Sequence, residues 1–450
     1  MLLGRTQEVR YLENNYKKSG NQLIVMYGRE NIGKTSLIME FCREKLFSYY
    51  LARPCSELEQ LKLWAGEVGQ DKVRPEYSSI FPEILSEGSS KFILVIDEFH
   101  NIVKNSELFM REIVNFIHNR YHDRPVMVIL CSSSVGFVEN SLVTKIGEAA
   151  YEITGFLEVR ELGFLELSGC FRKYSMRQCV ELYAVLGGVP GLWQYVSDDV
   201  DVRGNICRAI LKKGAVLRTE AERYVSQELR EPAVYHTILN CIAAGKRKLN
   251  DLYLETGFSR AKISVYLKNL TELEIVEKIS SMDTAGRDNA MKGIYRIRSP
   301  YVNFWFRFVF ANYSKLELMT EEEFYDMYIA PEFDAYAAGV FPVVCREYLN
   351  RLNQAGRLPI KCEKSGRWIG KNGTIDIMAM DREGRTLLGA CGFSEDEMTY
   401  ENYQKLLSVM KQARVKADYI YLFSAGEFDD ELQTLAQRES NIELIRLSQL

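Results

Sequence analysis

Between an apolar run, Leu23 to Tyr27, and a helical pattern that opens at Thr35 stands the stretch Gly28-Arg29-Glu30-Asn31-Ile32-Gly33-Lys34-Thr35. Its order of strand, glycine-bounded loop and helix with Lys-Thr at the junction is the grammar of a phosphate-binding loop. Gly28 and Gly33 let the backbone turn tightly, so that successive N–H groups converge at the positive end of the following helix. The loop residues Gly28, Asn31, Ile32, Gly33, Lys34, Thr35 and Ser36 are the candidate nucleotide contacts. Lys34 supplies a point charge for the β- and γ-phosphates of ATP, and the Thr35 hydroxyl suits the octahedral shell of Mg2+.

A partner for this loop is expected at the end of another core strand. The run Phe92 to Ile96 ends in Asp97-Glu98-Phe99-His100. Asp97 is placed to hold Mg2+ through water, and Glu98 to polarise an attacking water, which suggests hydrolysis rather than storage of the nucleotide. The next apolar run, Val126 to Cys131, ends in Ser132-Ser133-Ser134. There a short polar side chain could report the γ-phosphate.

Up to about residue 155, apolar runs alternate with helical patterns: Leu23–Tyr27, Phe47–Ala52, Phe92–Ile96, Val126–Cys131 and Tyr151–Thr154 against Thr35–Lys45, Leu58–Val68, Glu107–His118 and Gly136–Ile146. Continuous apolar strands joined by helices predict a parallel sheet covered on both faces. The expected fold class is α/β: a P-loop NTPase core over 1–158, a helical lid over 159–230, a winged helix-turn-helix over 231–300 and linker helices over 301–330. A second α/β unit over 331–450 reads as helix Asp334–Leu352, strands Pro359–Cys362, Thr374–Met380 and Thr386–Ala390, helix Tyr400–Ala413, strand Tyr419–Phe423 and helix Asp429–Arg438.

Composition narrows the function class. A chain of 450 residues with 47% hydrophobic and 26% charged residues folds as several globular domains. Its 57 basic and 61 acidic residues give a net charge of −4, so no global positive field draws it to nucleic acid or lipid. No apolar run approaches the roughly 18 residues of a membrane span, and the start Met1-Leu2-Leu3-Gly4-Arg5 lacks the apolar core of a secretory leader. A cytoplasmic protein is expected. The 10 cysteines form no C-x-x-C pair and read as reduced, buried thiols. His118 and His122 could share a helix face, but no further ligand stands at metal spacing.

Gly4-Arg5-x-x-Glu8, the loop with its internal arginine, Asp97-Glu98-Phe99, Ser132-Ser133-Ser134 and Gly187-Gly188-Val189-Pro190-Gly191 together resemble the prokaryotic AAA+/STAND-type ATPases. That resemblance implies an ATPase carrying a winged helix and a restriction-endonuclease-like carboxy-terminal domain. It also implies that Gly4 and Arg5 lie near the adenine, that Gly188 and Pro190 face the nucleotide, and that Ser133, at a position where Gly-Ser is usual, is the γ-phosphate sensor. Arg111, Arg120, Arg124 and Arg160 are all available as an arginine finger, and the sequence does not choose among them.

Two further expectations concern partners. Lys246, Arg247, Lys248, Arg260, Lys262, Arg287, Lys292, Arg296 and Arg298 gather around the winged helix and could meet DNA phosphates, although Glu272, Glu274 and Glu277 lie close by. In the last unit Asp376 matches the acid that ends the second strand of the nuclease fold. However, Ala390-Cys391-Gly392 stands where Glu-x-Lys is usual, and Pro342 where the first acid often sits. A lone carboxylate cannot assemble a catalytic metal site, so an inactive interaction domain is expected, binding a protein partner or a second copy. The rival reading is a nucleotide-binding regulator with little turnover. A helicase is disfavoured because no second ATPase-like unit follows.

Overall fold

The computed structural model describes residues 4–70, 73–85, 88–118, 121, 123–226, 229, 231–282, 293–370, 373–394 and 396–450. His122, Arg120, Arg287 and Lys292 of the sequence reading lie outside them. Two compact units are found: Met1–Leu162 with Val189–Gly191, and Gly163–Gly188 with Leu192–Leu450.

In the first unit, β1 (Gln22–Tyr27), β2 (Phe47–Leu51), β3 (Phe92–Asp97), β4 (Val126–Ser132) and β5 (Gly155–Glu158) form one sheet in the order β2-β3-β4-β1-β5. Every pairing is parallel. β3 and β4 are buried along their whole length and β1 nearly so, which is why they read as unbroken runs of Val, Ile, Leu and Met. The helix Leu108–Ile117 buries Phe109, Met110, Ile113, Phe116 and Ile117, a stripe at helical spacing. The helix Glu57–Glu67 starts at Ser56, whose side chain accepts the Glu59 N–H, and brings Trp64 flat against Tyr50 with ring centroids 4.1 Å apart. Parallel pairing puts the carboxyl ends of all five strands on one edge. With β4 inserted between β1 and β3, the glycine loop, the Asp97-Glu98 turn and the serine run become neighbours there.

Two expectations for this unit are corrected, and one helix is added. The fifth strand is Gly155–Glu158, and Tyr151 falls in the 3₁₀ turn Gly147–Glu152. Thr154 is the anchor, its N–H donating to the Leu23 carbonyl at 2.8 Å and its hydroxyl accepting the Leu23 N–H at 3.0 Å. Gly155 then pairs where any Cβ would lie 2.1 Å from the Tyr11 hydroxyl oxygen. The stretch Gly136–Ile146 is two short helices, Val135–Asn140 and Leu142–Ile146, broken at Ser141. A helix Thr6–Lys17 precedes β1; only Leu12 and Asn15 are buried on it, so its apolar stripe is too thin to see in sequence.

The second unit runs through the helices Phe164–Cys170 and Met176–Leu186 to a group of three, Pro232–Ala243, Leu249–Thr256 and Arg260–Glu272, followed by the antiparallel pair β6 (Val276–Ile279) and β7 (Ile294–Ile297). Trp305, Phe306 and Phe308 then lie buried in a π-helical turn, Trp305–Val309. The carboxy-terminal sheet has the order β12-β11-β10-β9-β8, with β8 (Lys364–Ile369), β9 (Thr374–Met380) and β10 (Thr386–Gly392) antiparallel and β11 (Tyr419–Ser424) and β12 (Ile442–Arg446) added in parallel. Ile375, Met378, Leu388, Leu406, Leu422 and Leu432 form its core.

Here too the sequence reading is adjusted. Pro359–Cys362 is not a strand, and the sheet begins instead at Lys364. Residues 334–352 belong to two helices, Ala330–Ala338 and Phe341–Gln354, the second opening with Pro342 in its first turn. β12 was not foreseen, because Ile442–Arg446 is only five residues long and shows neither a continuous apolar run nor a regular alternation. Beyond β6 the chain runs along the margin of β8: the Met282 N–H donates to the Arg367 carbonyl at 2.8 Å, and the Ile369 N–H to the Ser281 hydroxyl at 2.9 Å. No helix among the described residues is long and apolar enough to cross a membrane. All ten cysteines are free thiols.

Candidate functional site

The glycine loop leaves β1 at Gly28, where no side chain fits: an added Cβ would stand 2.3 Å from the Val159 carbonyl oxygen. The Gly28 N–H donates to the Ser132 carbonyl at 3.2 Å, which ties the loop to the end of β4. Gly33 turns the chain into the helix Lys34–Cys42 with φ of 93°, in the region that favours glycine, and Asn31 also has positive φ, 60°. The Ile32 carbonyl accepts a hydrogen bond of 2.8 Å from Arg5, whose guanidinium is buried and also pairs with Glu8 at 2.9 Å. Arg5 thus braces the loop, while Gly4 stands in the turn before the first helix. Arg29 pairs with Glu161 at 2.9 Å. The Asn31 carbonyl accepts the Gly191 N–H at 2.9 Å, so the turn that contains Pro190 touches the loop directly.

Lys34 is buried, and its ammonium donates to the carbonyls of Gly28 (2.8 Å) and Arg29 (3.0 Å). These bonds hold the charge inside the curve of the loop, where phosphate oxygens could take the place of the carbonyls. One residue on, the Thr35 hydroxyl donates to Asp97 at 3.0 Å. Tyr49 of β2, two positions before the residue paired with Asp97, donates to the same carboxylate oxygen at 2.8 Å. Burial first, and the nearby carboxylate second, push the Tyr49 phenol well above its ordinary range, so it stays a donor. A hydroxyl and a carboxylate side by side are hard oxygen donors of the kind Mg2+ prefers, and the donor set fits that ion.

Glu98 follows in a left-handed backbone conformation, φ 53°, uncommon for a residue with a side chain. Its carboxylate accepts two hydrogen bonds from Ser133, one from the N–H at 3.0 Å and one from the hydroxyl at 2.7 Å. Burial raises the Glu98 pKa, with the two Ser133 bonds pulling against it. His100 completes the cluster, 3.3 Å from the Glu98 carboxylate and 3.0 Å from the Ser132 hydroxyl. Burial, aided by Lys104 and Lys34, lowers the His100 pKa to about 4, so its ring is neutral at physiological pH. The structure therefore gathers Lys34, Thr35, Asp97, Glu98 and Ser133 around one sheet edge. Ser36, also in the first turn of the helix after the loop, is exposed.

Tyr49 and His100 were not anticipated. Tyr49 sits in an ordinary apolar strand, and only the β2-β3 register puts its hydroxyl on Asp97. His100 was legible as the fourth member of Asp-Glu-Phe-His, but nothing local told that it would be buried. Of the finger candidates, Arg124 lies over the Phe92 ring at 4.7 Å, Arg160 pairs with Glu158 at 2.6 Å and Arg111 is largely exposed. His118, of the histidine pair, contacts Glu152 at 3.1 Å.

The fold and this edge define a parallel-sheet, P-loop nucleotide-binding protein. Residues 2–196 match the family described as an ATPase domain predominantly from Archaea, and 305–406 match a family of archaeal and bacterial proteins of unknown function. The first of these matches spans every residue gathered at this edge. An uncharacterized protein of Methanocaldococcus jannaschii is 27% identical over 399 residues, covering 86% of each chain. An uncharacterized ATP-binding protein of the same organism is 38% identical over 45 residues, 10% of this chain and 76% of that one. Among solved structures, the Walker-type ATPase of Pyrococcus abyssi aligns with a TM-score of 0.45 at 18% identity, over 68% of this chain and 96% of that one.

Proposed function

We infer that the protein is a Mg2+-dependent ATP-binding and hydrolysing switch. What carries this reading is the single edge at which Lys34, the Thr35–Asp97 pair and the Ser133-held Glu98 meet. Bound Mg2+ would screen the charge of the β- and γ-phosphates, held by Thr35 directly and by Asp97 through water. Lys34 would turn its ammonium from the loop carbonyls to the phosphates. Glu98, its proton affinity raised by burial, would accept a proton from the attacking water once Ser133 releases it. Ser133 therefore couples the γ-phosphate position to the base. The Gly191–Asn31 contact gives the turn at Pro190 a direct sense of the loop.

The same Ser133 bonds favour a second reading, a regulator that binds ATP and scarcely turns it over. Turnover of the wild type against Glu98→Gln separates the two. The switch requires a loss of at least about 100-fold, the scale of a positioned general base, and the regulator almost none. Calorimetry with ATP tests the shared premise: Lys34→Ala is expected to abolish the binding heat in both.

The three helices and the β6-β7 pair support a winged helix. Its basic residues are partly spoken for. Arg296 and Arg298 pair with Glu277 and Glu274, and Lys246 lies 3.6 Å from Glu255. Arg260 stacks over Tyr253 and Lys262 lies over Phe258. Lys262 and Lys268 remain exposed on the third helix. Any DNA contact would run through that helix, with a shallow salt dependence. Anisotropy with generic duplex at low salt tests it, and no binding at micromolar protein would remove it. The mixed sheet with its flanking helices supports a nuclease-like shape without nuclease chemistry, and no Mg2+- or Mn2+-dependent cleavage of DNA or RNA is expected.

A further inference from the structure

Four guanidinium groups of the second unit form a cluster that reaches Asp376 through Arg346 and Arg367. Arg247 lies between the first two helices of the three-helix group, and its carbonyl accepts the Tyr295 N–H of β7 at 2.8 Å. Arg296 is on β7, Arg346 on the helix Phe341–Gln354 and Arg367 on β8. β8 is bulged between Gly366 and Trp368, so Arg367 drops out of register with β9, a device that re-aims a side chain. Arg367 feels Arg296, Arg346 and Arg247, and Arg346 feels Arg296 and Asp376. Burial, reinforced by these neighbours, lowers the Arg367 pKa to about 10, still far above neutrality.

The charges around this cluster do not balance. Glu277 engages Arg296, its carboxylate accepting the Arg296 Nε–H at 2.8 Å. Asp376 accepts the Cys391 N–H at 3.0 Å and is held above its ordinary carboxyl range by burial. Burial also keeps the Cys391 thiol protonated. Among the described residues, Arg307, which also bears on Arg247, is paired with Glu332, and the other four guanidiniums face two carboxylates, Glu277 and Asp376; arginine cannot shed its charge. Among the described residues, the Nε and one terminal nitrogen of Arg367, and the Nε of Arg247, are buried with no hydrogen-bond partner. Buried donors left unmet are costly, and those on a positive group most of all.

We propose that Arg247, Arg296, Arg346 and Arg367 form a second anion site, independent of the glycine loop, that takes a phosphate group beside Asp376. Planar guanidiniums match phosphate oxygens in pairs, which ammonium groups do not. A divalent cation is disfavoured at the same place, since the Asp376 carboxylate would have to hold it beside Arg346 and Arg367. No group of three His, Cys, Asp or Glu among the described residues is arranged for a metal. The acid that would serve a metal in a nuclease-like sheet here has Arg346 and Arg367 as its charged neighbours, so phosphate would be held directly rather than through an ion.

The phosphate could be free or part of a nucleic acid strand, and the test separates them. The full chain with Lys34→Ala, which silences the glycine loop, is titrated with inorganic phosphate, pyrophosphate and a short single-stranded oligonucleotide, at ionic strength matched with chloride. Binding of at least one is expected. Heat with phosphate or pyrophosphate alone assigns a free anion, and heat with the strand assigns nucleic acid. Arg346→Gln and Arg367→Gln in the same background are expected to weaken binding at least tenfold. Asp376→Asn, which removes the competing carboxylate, is expected to tighten it severalfold, so a variant of opposite sign guards against simple misfolding. No heat with any of the three probes, or unchanged affinity in both glutamine variants, would overturn the proposal. Loss of ATP binding by Lys34→Ala bears only on the glycine loop.

Discussion

A neutral imidazole in the middle of a charged cluster makes His100 the residue with the plainest solution signature. Its folded pKa, about 4, lies below the ordinary 6.5, so between those values the unfolded chain binds the proton and the folded chain does not. The His100 contribution is fully present above pH 6.5, falls as pH drops, and levels off near pH 4. The full span is on the order of 3 kcal/mol. Urea midpoints at pH 7 and pH 5 should therefore separate in the wild type and draw together in His100→Gln; equal separations in both would sink the assignment. Motif spacing was enough to single out Lys34, Thr35, Asp97 and Glu98, because the chemistry of phosphate fixes residue types at fixed offsets; Ser133 was chosen from its serine run by the family resemblance. Tyr49, His100 and the arginines around Asp376 were opaque for the opposite reason: each owes its place to a long-range pairing, and isolated residues carry no trace of that.

At the scale of elements, the glycine loop shows two ways in which a missing side chain matters. Gly28 is required by space, its absent Cβ leaving room for the Val159 carbonyl. Gly33 is required by conformation, since its φ is positive and nothing crowds it. Gly28→Ala should therefore push the loop away from β5, costing about 1–3 kcal/mol as overpacking does and abolishing ATP binding. Gly33→Ala should cost about 1–2 kcal/mol while leaving the neighbouring strand in place. Urea unfolding with calorimetry distinguishes the pair, and equal loss of ATP binding with equal destabilisation would contradict the distinction. The buried parallel strands were legible because burial on both faces leaves continuous apolar runs. The edge strands β5, β8 and β12 were not, since a strand that is short, half exposed or bulged has no such run to display.

For the whole molecule, the segment beyond β6 matters most where it meets the last sheet. Ser281 and Met282 supply a donor and an acceptor to β8, which otherwise ends the sheet on that side. A strand margin with unmet backbone groups is a template for other chains. Met282→Pro deletes the donor without touching the ATPase unit, and sedimentation velocity should then show concentration-dependent self-association while ATP binding persists. A variant that stayed monomeric at all concentrations would argue against this role. The segment that leaves β6 would then be serving as a hem, stitched along a neighbouring fabric so that it does not unravel onto its own kind.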